Sequence, residues 1–200
     1  MVQLLVGLMA FGASLALLVR SDLGLDPWDV FHQGLSVVIG VPIGVCTIAA
    51  GAVVLLLWIP LGQRPGVGTI ANVVLVGVSL DAVLAVLPQP SSLAVRWAFL
   101  VAGIALNGIA TGAYIGAGLG PGPRDGLMVG LARRGLSVRL VRTSIEVFVL
   151  ITGFVLGGTV GVGTVLYAVT IGPIVHFTLP AFSHEPGSAT RRRRWWRRRR

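Results

Sequence analysis

Two carboxylates at matched spacing are the residues of this 200-residue chain best placed to do chemistry. Asp29 follows Pro27 by two positions, Asp125 follows Pro123 by two, and each motif runs on to a Gly-Leu pair, Gly34-Leu35 and Gly130-Leu131. Proline suits the first turn of a helix, and a carboxylate there meets the positive helix end. Two roles are open to the pair. The carboxylates cap two short helices, or they line a path where two half-helices meet inside a membrane, as in carriers built from broken helices. His32 lies three positions beyond Asp29, and Arg124 stands beside Asp125 where the first motif has Trp28. A second group, Arg139, Arg142 and Glu146, is spaced i, i+3, i+7 and shares one helix face. Glu146 falls inside an otherwise apolar run, so it must be neutral or paired, and Arg142 is its nearest partner. Structural pairing and passage of an ion or substrate both satisfy that demand. The candidate path therefore comprises Asp29, His32, Arg124, Asp125, Arg142 and Glu146.

Other chemistry has little to work with. His32, His176, His184 and Cys46 lack metal-ligand spacing, and no Gly-x-Ser-x-Gly nucleophile motif is present. Gly66-x-Gly68-x-x-Ala71 resembles a dinucleotide fingerprint, but an apolar helical run follows it and no strand precedes it. No enzyme activity, metal or cofactor is expected. A single cysteine excludes an intramolecular disulfide.

The elements that position these residues belong to a membrane protein. With 54% hydrophobic residues, 12% charged residues and a mean hydropathy of +0.88, the chain has too little polar surface to coat a soluble globule. Its apolar stretches are continuous rather than alternating, which selects α-helices over a β-barrel. Six are long enough to span about 30 Å of hydrocarbon: residues 2–19, 43–61, 67–87, 93–115, 138–156 and 162–179. Residues 27–39 and 123–135 are too short to span and are expected to be re-entrant or interfacial.

An internal repeat organises these segments. At an offset of 96, Gly7, Gly12, Leu23, Gly24, Pro27 and Asp29 match Gly103, Gly108, Leu119, Gly120, Pro123 and Asp125. At an offset of 95, Gly66-Val67-Gly68-Thr69 matches Gly161-Val162-Gly163-Thr164, and Gly77 matches Gly172. The expected fold is all-α and polytopic: a first repeat over 1–88, a second over 93–182 and a tail over 183–200. Three crossings per half place the halves in opposite orientations. Both termini are then cytoplasmic, with fourteen arginines inside and only Arg20 and Arg96 outside. Eight full crossings with parallel halves fit the arginines nearly as well. Segment length and the polar residues Asp29, His32 and Gln33 favour the re-entrant form.

The motifs Asp22-Leu23-Gly24-Leu25-Asp26-Pro27-Trp28-Asp29 and Gly120-Pro121-Gly122-Pro123-Arg124-Asp125-Gly126-Leu127-Met128 resemble the YczE branch of the YczE/YyaS/YitT group of bacterial membrane proteins. The paired Gly-Val-Gly-Thr segments and Ile171-Gly172-Pro173 fit the same pattern. The resemblance covers residues 2–179. It implies a multi-pass inner-membrane protein and carries no site residues with it.

Two surfaces remain. Gly108, Gly112, Gly116 and Gly120 bare one side of the fourth long segment, for packing within the chain or, as the alternative, for a homodimer. The tail carries Arg191, Arg192, Arg193, Arg194, Trp195, Trp196, Arg197, Arg198, Arg199 and Arg200. Such a tail holds the C-terminus in the cytoplasm and binds anionic lipid, at roughly 1 kcal/mol per arginine near the surface. Lacking a folded module, it is not expected to bind nucleic acid. The expected function is a permease-like carrier of an unknown small molecule or ion; the alternative is a non-transporting scaffold or regulator.

Overall fold

The computed structural model describes residues 1–183, and the arginine tail lies outside the described residues. Eight helices follow one another: α1 (Val2–Ser21), α2 (Pro27–Ile39), α3 (Ile43–Trp58), α4 (Val67–Val86), α5 (Leu93–Gly116), α6 (Pro123–Ala132), α7 (Val138–Val155) and α8 (Val162–Phe182). Among the described residues there is no strand, and the all-α membrane fold expected from composition is what the chain adopts. Large apolar side chains such as Leu56, Phe148, Val155 and Phe177 face outward. That is the pattern of a bundle whose solvent is lipid.

Four helices, α1, α4, α5 and α8, are long and apolar enough to cross a membrane on length and composition alone. A fifth span results if α2 and α3, bent by 115° at their junction, count as one. The six spans read from the sequence include α3 and α7, which those criteria do not admit singly. α3 has only 16 residues, and α7 carries Arg139, Arg142 and Glu146 within its 18.

Long-range hydrogen bonds show how the helices run. Gln3 Nε2 donates to Ala113 O at 2.9 Å and Phe182 O at 3.0 Å, so the start of α1 shares one end of the bundle with the ends of α5 and α8. At the other end Arg20 donates to Leu84 O and Gln89 Oε1, while Arg96 donates to Ser21 O and pairs with Asp22 at 2.8 Å. α3 starts near that second end, where Asp81 Oδ1 accepts from Gly44 N at 2.8 Å. It finishes at the first end, where Trp58 Nε1 donates to Pro123 O at 3.0 Å. Asp81 thus caps α3 from α4.

Packing exchanges the two halves. α1 packs on α5; α1 packs on α4 as α5 packs on α8; α2 rests on α7 as α6 rests on α3. Each short helix therefore lies against the other half. The reason is visible in the paired Gly-Val-Gly-Thr segments, which start α4 and α8. Gly68 N donates to Leu119 O at 2.9 Å, and Gly163 N donates to Leu23 O at 2.7 Å. Helix N-termini have free N–H groups, and each pair of termini here satisfies one with a loop carbonyl from the opposite half. Gly24 (φ 115°) and Gly120 (φ 129°) make the tight turn in those loops, in a conformation that L side chains rarely adopt.

The glycine face of α5 is covered within the chain. Side chains of α8 fill it, Ile174 at Gly108 and Thr178 at Gly112, and Thr178 Oγ1 donates to Gly108 O at 2.9 Å. Intramolecular packing is the use these glycines have in the monomer.

Candidate functional site

The first turns of α2 and α6 meet inside the bundle. α2 starts there because Asp26 caps it, its Oδ1 accepting from Trp28 N at 2.8 Å and Asp29 N at 3.0 Å, with Pro27 in the first turn. α6 starts with Pro123 behind Gly122, which offers no side-chain cap. Arg124 bridges the two starts. Its guanidinium is 3.6 Å from Asp29 Oδ1 and 3.9 Å from Asp26 Oδ1, and it stacks over the Trp28 ring, 4.9 Å from the centroid.

Behind this meeting point a buried polar chain runs into the bundle. Asp29 Oδ1 is 3.1 Å from His32 Nδ1, and His32 Nδ1 is 3.2 Å from Thr47 Oγ1. Thr47 Oγ1 also lies 3.0 Å from Ile43 O, a bond in which it is the donor. Asp29 and His32 are each 1% exposed, and such groups need partners in a low-dielectric interior. Two polar atoms here have none: Asp29 Oδ2 and Trp28 Nε1.

In front of the meeting point is a cavity of about 630 Å³. Its polar wall contains Asp26, His32, Arg124, Asp125, Arg142 and Glu146. Asp125 approaches Tyr114 OH at 3.5 Å, and among the described residues no guanidinium lies within ion-pair distance of it. Arg142 Nε donates to Glu146 Oε1 at 2.8 Å. Tyr167 OH donates to Asn107 Oδ1, and Asn107 donates to Ser14 Oγ, both at 2.9 Å, a relay joining α8, α5 and α1 that runs from the cavity wall to the buried Asn107 and Ser14. The rest of the wall is apolar or aromatic, including Phe11, Val54, Val76, Ile171 and Leu179.

Of the six candidate residues from the sequence, five line this one cavity, and Asp29 lies just behind it on Arg124. Asp26 was seen in the sequence only as part of a motif; its capping role and its contact with Arg124 depend on where the loop before α2 folds. Tyr114 and Tyr167 had no signal at all, because a tyrosine inside an apolar helix reads equally well as packing. Among the described residues no three His, Cys, Asp or Glu side chains converge in a metal site.

Comparison with known proteins places the chain in a family. Residues 1–180 match the model of a family of unknown function, DUF6198. An uncharacterized protein of Haemophilus influenzae is 41% identical over 184 residues, covering 92% of this chain and 84% of its own. The uncharacterized membrane protein YczE of Bacillus subtilis is 36% identical over 176 residues, covering 86% and 81%, and YyaS of the same organism is 25% identical, covering 94% and 96%. No solved structure matches the chain. The resemblance to YczE and YyaS is thereby borne out: the chain belongs to the DUF6198 family and is a relative of the uncharacterized membrane protein YczE.

Proposed function

We propose that this protein is a permease-like carrier of the bacterial cytoplasmic membrane, passing a small solute or ion through the cavity between its two halves. The observation that carries the reading is the meeting of two short-helix N-termini, one from each half, at a polar cavity deep in an apolar bundle. Intramembrane charge is costly and is kept where it lines a path. Alternating-access carriers place such a site at the junction of inverted repeats.

The contacts at the two ends of the bundle support inverted halves. α1, α4 and α7 run one way, α3, α5 and α8 the other, and the loop between α4 and α5 is at the end opposite Gln3. Each short helix then enters and leaves at one end. Rocking of one half against the other about Arg124 would expose Asp29, Asp125 and the Arg142–Glu146 pair to either side in turn. The arginine and tryptophan residues 191–200 are read as a cytoplasmic, anionic-lipid-binding tail.

The test is solvent-accessibility labelling of single cysteines placed along 27–39 in a Cys46→Ala background. A carrier requires labelling by a membrane-impermeant reagent at positions on the cavity side, such as Trp28 and His32. Protection along the whole of α2, in every condition, would leave no wet path and return the protein to the scaffold reading.

A further inference from the structure

The two halves differ in how their last two helices pack. α3 packs along α4, and there Gly77 comes so close to α3 that an added Cβ would stand 2.5 Å from Gly44 O. The counterparts are α7 and α8, which have no comparable packing, and a Cβ on Gly172, the counterpart of Gly77, meets nothing within 4 Å. The cavity is lined on both sides of this gap, by Arg142 and Glu146 on α7 and by Ile171, Gly172 and Val175 on α8. A gap between these two helices therefore borders the cavity.

Charge at the site is unbalanced. Four carboxylates, Asp26, Asp29, Asp125 and Glu146, face two guanidiniums, Arg124 and Arg142. The two helix N-termini add roughly half a positive charge each. With all four carboxylates ionised, the formal sum is about one negative charge, which a single monovalent cation would neutralise. Aromatic rings of Phe11, Tyr114 and Tyr167 lie on the same wall, and aromatic faces attract organic cations. A volume of about 630 Å³ is far larger than an inorganic ion needs and falls in the range of small-molecule pockets.

Building on the carrier reading, we infer that the cavity binds a monovalent organic cation with an apolar body, and that this ligand enters from the membrane between α7 and α8. The cationic centre sits among Asp26, Asp125 and Glu146. The apolar body lies against Ile171, Val175 and Leu179 near the gap.

The experiment uses the full chain in phosphatidylcholine nanodiscs with three probes: tetraphenylphosphonium, its shape-matched anion tetraphenylborate, and tetramethylammonium, a cation with little apolar body. Saturable binding is expected for tetraphenylphosphonium and not for tetraphenylborate, competed weakly by tetramethylammonium and not by sodium. Asp125→Asn should weaken it about tenfold, the scale of one charge interaction in a partly screened site. Gly172→Phe, built into open space, should leave the melting temperature unchanged and slow tetraphenylphosphonium association. Equal binding of tetraphenylborate, or affinity indifferent to both Asp125→Asn and Glu146→Gln, overturns the cationic ligand. Unaltered association in Gly172→Phe overturns the lateral route. If no probe binds while cysteines on α2 still label, the cation proposal fails and the carrier reading stands. If neither is seen, both fail.

Discussion

Arg124 stacks on Trp28, and the two occupy equivalent positions in the two halves of the chain. In the inverted-repeat reading proposed above, a residue that touches its own counterpart would lie on the axis relating the halves. Identical residues there would set like against like, and two guanidiniums would repel; a cation on an indole does not. The pair is expected to be coupled by about 1–2 kcal/mol, the range for a partly desolvated cation–π contact. A double-mutant cycle of Trp28→Leu and Arg124→Met on thermal stability in detergent measures it. Additive losses would mean that the stacking contributes nothing. Because Trp28 Nε1 makes no hydrogen bond, Trp28→Phe should retain most of the stability.

Gly24→Ala and Gly120→Ala should each destabilise the protein by at least about 1–3 kcal/mol, through positive φ and crowding together. A Cβ on Gly24 would stand 2.6 Å from Gly161 N, and one on Gly120 would stand 2.7 Å from Thr69 Oγ1. Gly40→Ala is the control: its φ is 75°, but it faces open space, and its cost should stay near 1 kcal/mol. Melting temperatures of the three variants decide the matter. Equal losses at all three would remove the case for close docking of the loops.

The pairing of Arg142 with Glu146 should be weak for an intramembrane ion pair. The side chains are 61% and 33% exposed on the wall of an open cavity, and arginine precedes glutamate, the less favourable order along a helix. Coupling of about 0.3–0.5 kcal/mol is expected from a cycle of Arg142→Leu and Glu146→Leu. A coupling several times larger would show that the cavity is dry around α7.

Reporter tags on the N-terminus and after Ser91 should report opposite sides of the membrane. Both on one side would require an even number of crossings in the first half, against the arrangement of Gln3, Arg20 and Gln89.

Much of this was legible in the sequence because the repeat is legible. The matched Pro-x-Asp motifs located both short helices, and helix spacing put Arg142 beside Glu146. Long-range geometry was not. Nothing local to Asp81 shows that it caps α3, because its partner Gly44 lies 37 positions away. Glu146 read as buried in an apolar run, whereas the gap between α7 and α8 leaves it on a cavity wall. That gap is a missing contact between two helices, and hydropathy does not record missing contacts.

The exchanged bonds of Gly68 and Gly163 also set an order of assembly. The loop before α2 finds its partner at Gly163, about 140 residues later in the chain. Until α8 has been made and inserted, the first half has Leu23 O without its partner and its short helix without α7 to rest on. Neither half is then expected to fold on its own, and a chain truncated after the first should persist only when the second is supplied in trans.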